Sequence, residues 1–241
     1  MAAPSIPGLF ITGTDTEVGK TYVGERIARW LVAAGYRVGV YKPVASGCRR
    51  QHGELLSDDA CALWHAAGRP GELAAVCPQR FEAPLAPPVA ARRTHGKVDA
   101  RRLRSGLAYW LDRSDIVLVE GVGGLMSPVS DEDYVADLAY EFGFPLVIVA
   151  PNVLGVINQT LQTLVTAATF REGIDVAGIV LNDVLAPESQ DASSATNLSE
   201  LQAHAVPPVL ARLGWNADGF RPAVDWFELA QTSTCPAEGQ E

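Results

Sequence analysis

The stretch that decides the fold lies near the amino terminus and reads Thr12-Gly13-Thr14-Asp15-Thr16-Glu17-Val18-Gly19-Lys20-Thr21. It follows a short apolar run, residues 9–11, which predicts a buried strand, and it opens into residues 22–34, where apolar side chains recur at helical spacing. A strand, a glycine-rich turn ending in Gly-Lys-Thr and a helix form the context that a phosphate-binding loop requires. Backbone N–H groups of such a turn and the positive end of the helix dipole favour a bound anion. The stretch therefore predicts a nucleotide phosphate site.

This loop departs from the usual pattern in one place. The pattern has a glycine six places before the lysine, where this chain has Thr14, and Gly13 lies one place earlier, so the loop is one residue longer. Lys20 is predicted to reach the outer phosphates, and the Thr21 hydroxyl is predicted to bind Mg²⁺. The alternative is a helix-capping turn that happens to contain Gly-Lys-Thr, which the flanking strand and amphipathic helix disfavour.

Composition bounds the class of protein. The chain has 241 residues, 48% of them hydrophobic, and its 19 basic and 28 acidic residues give a net charge of −9. Without a basic patch this balance disfavours nucleic-acid binding. The four cysteines show no paired spacing, so neither a zinc site nor a disulfide framework is expected, and unpaired thiols are typical of a reducing compartment. With no signal-peptide pattern and no apolar stretch near the ~20 residues that span a bilayer, we expect a cytoplasmic protein without a membrane segment.

Apolar strands and helical patterns alternate along most of the chain. Strands are predicted at residues 9–11, 37–41, 115–120, 145–150 and 176–181, and helices at residues 22–34, 59–67, 99–110, 134–142, 155–171 and 190–205. Near-continuous apolar strands indicate a sheet buried on both faces, and the alternation indicates right-handed crossovers. We therefore expect one α/β domain over residues 1–241, with a doubly wound, mostly parallel sheet and helices on both faces. Residues 68–97, rich in Pro and Ala, read as a long excursion, and a polar, frayed tail is expected from about residue 232.

Residues with chemical potential follow two of the predicted strands. Glu120 ends one strand and is followed by Gly121-Val122-Gly123-Gly124. An acid at the tip of a buried strand beside a phosphate loop suits a Mg²⁺-linked carboxylate, and the glycines would let the backbone approach the γ-phosphate. Lys42 follows another strand and could neutralise charge on a transferring phosphoryl group in the same crevice. The alternatives are a solvated strand-end acid with an ordinary turn, and a surface lysine.

Two further pairs stay open from local sequence alone. Asp58 and Asp59 precede a helical run, where helix capping is the plain interpretation. Asn182-Asp183 follows the strand at residues 176–181 and could either hydrogen-bond a base edge or form an Asx turn. The four histidines share no spacing of metal ligands or catalytic partners, so no Ser/His/Asp arrangement is expected.

Four strings taken together resemble the dethiobiotin synthetase family. They are Gly13-Thr14-Asp15-Thr16-Glu17-Val18-Gly19-Lys20-Thr21, Tyr41-Lys42-Pro43-Val44-Ala45-Ser46-Gly47, Val119-Glu120-Gly121-Val122-Gly123-Gly124-Leu125 and Leu181-Asn182-Asp183-Val184. Their order and spacing match the family across roughly residues 8 to 185. The long loop of the first string, with Lys-Pro-Val-Ala-Ser-Gly of the second, is highly specific. The resemblance implies the P-loop NTPase type of α/β fold.

The resemblance also implies a reaction, in which 7,8-diaminopelargonate, CO₂ and ATP give dethiobiotin, ADP and phosphate. One amine captures CO₂ as a carbamate, ATP phosphorylates the carbamate, and the second amine closes the ureido ring with loss of phosphate. An anionic carbamate must approach an anionic γ-phosphate, so the reaction needs a positive field and close placement of the reactants. Lys20, Lys42 and Mg²⁺ would supply that field.

Individual roles follow from the resemblance, with Lys42 and Lys20 as the catalytic residues. The residues implied to bind ATP and its metal are Glu17, Val18, Gly19, Lys20, Thr21, Tyr22, Asp59, Glu120, Gly121, Val122, Gly123, Asn182 and Asp183. Among these, Thr21, Asp59 and Glu120 would hold the metal, and Asn182 would read adenine. Asp58 could be the ligand in place of Asp59, although the run into the helix fits Asp59 better. Thr16, Lys42 and Ser46 would face the diamine.

A partner subunit is implied as well, because the family is a homodimer in which a helix start of one subunit receives the substrate carboxylate of the other. Here that start corresponds to Gly155-Val156-Ile157-Asn158, a helix N-terminus suited to an anion. Past residue 185 the match thins. Where the family often has a Gly-Glu-Ile-Pro loop near the adenine, this chain has Ala211-Arg212-Leu213-Gly214-Trp215.

Three other classes of protein compete with this interpretation. Switch ATPases of the partition type share a deviant loop, but they carry a signature lysine five places before the loop lysine, where this chain has Asp15. Amidotransferase-type synthases of cobalamin biosynthesis share the loop in a longer chain with a glutaminase domain, for which 241 residues leave no room. A degenerate relative that binds nucleotide without turnover is disfavoured by the intact Lys20, Thr21, Lys42 and Glu120.

Overall fold

A computed structural model describes residues 5–232 and places a strand and a helix on either side of the glycine-rich turn. The strands are β1 (Gly8–Gly13), β2 (Val38–Tyr41), β3 (Val44–Ala45), β4 (Arg49–Gln51), β5 (Glu54–Leu56), β6 (Gln79–Arg80), β7 (Ile116–Gly124), β8 (Leu146–Pro151), β9 (Val176–Asn182), β10 (Val209–Leu213) and β11 (Phe220–Arg221). The α-helices are α1 (Lys20–Ala33), α2 (Asp58–Ala66), α3 (Leu73–Val76), α4 (Pro87–Arg92), α5 (Ala100–Ser105), α6 (Ala108–Leu111), α7 (Val135–Phe142), α8 (Val156–Thr169), α9 (Asn197–His204) and α10 (Trp226–Thr232). Two 3₁₀ turns, Pro187–Ser189 and Ala192–Ala195, precede α9.

The central sheet of the described residues has seven strands in the order β11-β10-β9-β8-β1-β7-β2. Neighbouring strands run parallel, except for the antiparallel edge pair β10–β11. From β1 the chain first builds one side of the sheet, with β2 and β7, and then the other side, with β8, β9 and β10. The order therefore reverses beside β1, which is the point where open α/β sheets bind ligands at the carboxyl ends of their strands. The predicted doubly wound, mostly parallel fold is confirmed.

Burial of whole strands explains why helices cover the sheet. Every residue of β1 and β8 is buried, whichever face its side chain points to. Such strands need cover on both faces. In α1 the side chains of Val23, Ile27 and Leu31 recur at helical spacing and are fully buried where the helix contacts β1 and β7.

The register of the central strands brings the predicted site residues to one level. Tyr41 of β2 pairs with Val119 of β7, so Lys42, the next residue, lies level with Glu120. On the other side of β7, Ile11 of β1 pairs with Glu120 itself. The carboxyl ends of β1, β2 and β7 thus carry the phosphate loop, Lys42 and Glu120 side by side.

Two predicted helices are wrong in extent. Residues 99–110 form two short helices, α5 and α6, instead of one. The Leu103 carbonyl accepts a hydrogen bond from the Tyr41 hydroxyl at 2.8 Å, whereas in a continuous helix it would accept from the N–H four residues later. A Cβ at Gly106 would lie 2.4 Å from the same hydroxyl, so the break packs tightly against β2. Residues 190–205 form a 3₁₀ turn followed by α9.

Several short elements were not predicted. The hairpin β4–β5 precedes α2, and the excursion at residues 68–97 contains α3, β6 and α4, with β6 paired to β3. The strand β10 was not predicted, because it is only partly buried and contains Arg212, so its sequence lacks a continuous apolar run. Within residues 5–232 no helix is long and apolar enough to cross a membrane. A frayed tail was predicted from about residue 232. Thr232 is the last residue of α10, and residues 233–241 lie outside the described residues.

Candidate active site

The loop between β1 and α1 is held in an unusual backbone conformation. Glu17 and Gly19 both have positive φ, 61° and 89°. A Cβ at Gly19 would lie 2.1 Å from Nδ2 of Asn182, so the dihedral and the close approach both require glycine there. The Lys20 side chain folds back over the loop, and its Nζ donates to the Asp15 carbonyl at 3.0 Å. A loop of this shape at a helix N-terminus presents N–H groups to an anion.

Four side chains from four elements meet at the carboxyl end of the sheet. Nζ of Lys42 lies 2.5 Å from Oε1 of Glu120 and 3.0 Å from Oδ2 of Asp59. The Thr21 hydroxyl donates to the same Glu120 oxygen at 2.9 Å. Thr21 lies in the first turn of α1, Lys42 follows β2, Asp59 lies in the first turn of α2 and Glu120 lies in β7. The fold therefore assembles a compact cluster of one ammonium, two carboxylates and one hydroxyl.

The charge state of this cluster follows from its burial and its partners. Burial by itself would lower the pKa of Lys42, but the carboxylates of Glu120 and Asp59 outweigh burial and raise that pKa, so the ammonium stays charged. Burial would raise the pKa of Asp59, and the Lys42 ammonium overcomes this and lowers it. Lys20 differs, because burial dominates and lowers its pKa, with Glu120 opposing the shift. Lys42 is thus a charged group fixed in place by two carboxylates, and Lys20 lies near it with its Nζ hydrogen-bonded to the Asp15 carbonyl.

A cleft of about 600 Å³ opens above this cluster. Most of the residues predicted for the site line it, and these are Thr16, Glu17, Gly19, Lys20, Thr21, Lys42, Ser46, Asp59, Glu120, Val122 and Gly123. The cleft therefore joins the phosphate loop to the residues expected to face the diamine.

Other predicted residues lie outside the lining of this cleft, and they are Val18, Tyr22, Gly121, Asn182, Asp183, Gly155, Val156 and Asn158. The Tyr22 hydroxyl donates to the Ala217 carbonyl at 2.8 Å. The Asn182 amide donates to the Val18 carbonyl at 3.0 Å, and the Asp183 carboxylate pairs with Arg212. Gly155, with a φ of 97°, precedes α8.

The two neighbouring acids at the start of α2 have different partners. Asp59 reaches Lys42, whereas Asp58 pairs with Arg49 at 2.6 Å, and both side chains are more than half exposed, 52% for Asp59 and 71% for Asp58. Helix capping by these acids is wrong, because Ser57 is the N-cap and its Oγ accepts from the N–H of Ala60. Of the pair, the Asp59 side chain lies in the cleft.

Sequence reasoning missed part of the cleft wall. Ser127 lines the cleft and its Oγ accepts from the N–H of Gly124 at 2.9 Å, and nothing in the local sequence marked it. An apolar wall comes from Pro84, Leu85 and Pro87 at the start of α4. The Pro-rich composition of residues 68–97 indicated a long connecting segment, but it did not indicate that this segment lines the cleft.

The oxygen atoms of the cluster fit a hard divalent cation. Within residues 5–232 the buried Oε2 of Glu120 has no hydrogen-bond partner, while Oε1 of the same carboxylate accepts from the Thr21 hydroxyl and the Asp59 carboxylate lies close by. Residues 5–232 hold no group of three or more His, Cys, Asp or Glu side chains that could bind a metal by themselves. One or two carboxylates with a hydroxyl, completed by phosphate and water, is the donor set that suits Mg²⁺.

Fold and site define a class: a P-loop α/β protein whose phosphate loop faces a second, buried lysine. The sequence matches the AAA domain family over residues 7–222. The ATP-dependent dethiobiotin synthetase BioD of Rhodopirellula baltica is 46% identical over 213 residues, covering 84% of this chain and 82% of that protein. The protein of the same name from Anaeromyxobacter dehalogenans is 40% identical, covering 90% and 93%, and BioD 1 of Escherichia coli K12 is 34% identical, covering 87% and 91%. The chain belongs to the dethiobiotin synthetase family.

Solved structures of more distant proteins share the fold. A ParA family ATPase from Chlorobium tepidum superposes with a TM-score of 0.52 at 13% identity, covering 89% of this chain and 86% of that chain. The hydrogenase maturation factor HypB from Archaeoglobus fulgidus gives 0.51 at 16% identity, covering 87% and 81%. At these identities the likeness shows the P-loop α/β fold alone.

Proposed function

We propose that this chain converts 7,8-diaminopelargonate and CO₂ into dethiobiotin, with ATP as co-substrate and Mg²⁺ as the metal. The reaction follows from the family to which the chain belongs. The observation that carries the proposed mechanism is Lys42, which is buried and held between Asp59 and Glu120 at the cleft that also contains Lys20. A fixed ammonium beside a second lysine suits a reaction in which one anion must attack another.

The proposed chemistry has three steps. One amine of the substrate attacks CO₂, loses a proton and becomes a carbamate. A carbamate oxygen attacks the γ-phosphorus of ATP, the bond to the β-phosphate oxygen breaks, and ADP leaves. The second amine then attacks the carbonyl carbon of the mixed anhydride and loses a proton to solvent, the bond between that carbon and the oxygen it shares with phosphorus breaks, and phosphate leaves with that oxygen.

The chain's own residues would act mainly by charge and position. The two carboxylates hold the Lys42 ammonium in place, so its positive charge needs no reorganisation when the γ-phosphoryl group moves. Lys20 would neutralise the outer phosphates from the other side of the cleft. Thr16 and Ser46 line the same cleft and would hydrogen-bond the substrate amines. Thr21, Asp59 and Glu120 would hold Mg²⁺, which when bound neutralises phosphate charge.

A homodimer is part of the proposal, with the N-terminus of α8 from one subunit receiving the substrate carboxylate of the other. Gly155 starts this helix without a side-chain cap, which leaves backbone N–H groups available to an anion. Leu154 and Val165, just before and within α8, are 79% and 62% exposed, and apolar side chains in this position favour a subunit contact. Light scattering should give twice the mass of the chain, whereas the mass of one chain would contradict the dimer.

An isotope experiment tests the proposed chemistry. Oxygen-18-labelled CO₂ is supplied with ATP and the diamine, and the products are analysed by mass spectrometry at early times. If a carbamate oxygen attacks phosphorus, one labelled oxygen appears in phosphate and one in the ureido carbonyl of dethiobiotin. Phosphate that carries no label would show that ATP is hydrolysed by water, and the proposal would be wrong.

A further inference from the structure

Asp183 has partners that neither sequence interpretation anticipated. Its carboxylate, directly after β9, is buried; Oδ1 accepts from Nε of Arg212 at 3.1 Å, and Oδ2 accepts from Nε and Nη2 of Arg212 at 3.0 and 2.8 Å. Oδ1 also accepts from Nδ2 of Asn152 at 2.7 Å. Oδ1 of Asn152 accepts in turn from the amide of Asn197 at 3.0 Å. Forked guanidinium–carboxylate pairs of this kind fix geometry as well as charge.

The same residues immobilise the backbone around Asn182. The N–H of Asn152 donates to the Asn182 carbonyl at 2.7 Å, and the N–H of Asp183 donates to the Leu213 carbonyl at 2.8 Å. Asn182 is thereby held from β8 on one side and from β10 on the other. Arg212 lies on β10, one residue before Leu213, so its ion pair joins β10 and the end of β9 a second time.

The Asn182 side chain passes this constraint to the phosphate loop. Its Nδ2 donates to the Val18 carbonyl at 3.0 Å in a buried setting. The same nitrogen packs so closely on Gly19 that a Cβ there would lie 2.1 Å away. Val18 and Gly19 directly precede Lys20, so Asn182 contacts the loop where its N–H groups must face the phosphates.

We propose that Arg212 and Asp183 are positioning residues for the phosphate loop and act on it through Asn182. The path runs from the forked ion pair to the backbone of residue 183, then to Asn182, and from its amide to Val18. The inference rests on the proposed function only in that the loop binds phosphates.

A double-mutant cycle on binding tests the path. Affinities for ADP and for inorganic tripolyphosphate are measured by calorimetry for the wild type, Arg212→Gln, Asn182→Ala and the double variant. A lost positioning contact worth one hydrogen bond to a charged group should raise both dissociation constants about 10-fold in Arg212→Gln. Because Arg212 acts through Asn182, the same change on the Asn182→Ala background should alter them less than about 2-fold.

Matched variants separate positioning from loss of stability. The pair Arg171–Asp137 is similarly half-buried, with side-chain exposures of 43% and 11% against 34% and 6% for Arg212–Asp183, and it lies outside the site. Arg171→Gln should leave both affinities unchanged. Arg212→Lys keeps the charge but loses the fork, so it should recover part of the affinity. If Arg212→Gln does not fold, the same cycle is run with Arg212→Lys.

Three results would overturn the inference. The first is that the affinity losses of Arg212→Gln and Asn182→Ala add up in the double variant. The second is that Arg212→Gln weakens the binding of ADP but not of tripolyphosphate, and the third is that Arg212→Gln leaves both affinities unchanged. Failure of the proposed function looks different, because a wild type that binds ADP but forms no dethiobiotin would contradict the reaction and leave the cycle intact.

Discussion

Replacing Gly19 with alanine is expected to weaken nucleotide binding while the protein stays folded. Gly19 joins the phosphate loop to α1 with a φ of 89°, a region that alanine disfavours. The new Cβ would lie 2.1 Å from Nδ2 of Asn182, so that amide must move away and its hydrogen bond to the Val18 carbonyl is lost. Without ligand the loop can relax, but a bound nucleotide requires the original conformation.

The size of the effect can be worked from these two contributions. The left-handed conformation costs alanine about 1–2 kcal/mol, and the lost hydrogen bond costs about 1 kcal/mol. Together they amount to about 2–3 kcal/mol, which corresponds to a dissociation constant raised about 30- to 150-fold. Titration calorimetry with ADP measures this directly, and thermal unfolding of the same samples reports whether the variant is folded.

A control is available at the other end of the same helix. Gly35 has a φ of 95°, but a Cβ there would meet no atom of residues 5–232 within 4 Å. Gly35→Ala should therefore lose about 1–2 kcal/mol of stability, with unchanged ADP affinity. Adding Asn182→Ala to Gly19→Ala should cause little further loss of ADP affinity, because the hydrogen bond from that amide to the Val18 carbonyl is already lost. Wild-type affinity in Gly19→Ala, or an equal loss in Gly35→Ala, would refute the reasoning.

Three further changes test the cluster and the core. Lys42→Ala should lower kcat at least about 100-fold and change ADP affinity less than about 5-fold, since the ammonium acts on the transferring phosphoryl group. Equal losses in kcat and in ADP affinity would show that Lys42 does not act on that group. Asp59→Asn should raise the Mg²⁺ concentration needed for half-maximal activity, while the exposed neighbour variant Asp58→Asn should not; identical titrations would contradict the assignment. Leu31→Ala, in the core, should cost about 2–5 kcal/mol of unfolding free energy, against less than about 1 for the part-exposed Val32→Ala in the same denaturation series.

Local pattern was sufficient for five of the seven strands of the central sheet and for the lysines of the site. The apolar strands and the glycine-rich turn predict parallel strands whose carboxyl ends share one edge, and this places Lys42 in the same crevice as the phosphate loop. The structure adds the register itself, in which Tyr41 pairs with Val119 and sets the two side chains level.

What the sequence could not predict depends on contacts between distant segments. Asp183 reads locally as a base contact or an Asx turn, but its partner Arg212 lies on a strand whose mixed polarity hid it. Ser127 and the wall at Pro84 enter the cleft through loops whose path is set by tertiary packing rather than by periodicity. Such residues become visible only once the chain is folded.

The measurement that tests the central claim most directly is ADP release from MgATP and bicarbonate, with and without 7,8-diaminopelargonate, together with the amount of dethiobiotin formed. The proposed function predicts ADP release that depends on the diamine and matches dethiobiotin one to one. Slow ATP hydrolysis indifferent to the diamine, with no dethiobiotin, would contradict it and would point to a nucleotide switch that acts on a protein partner.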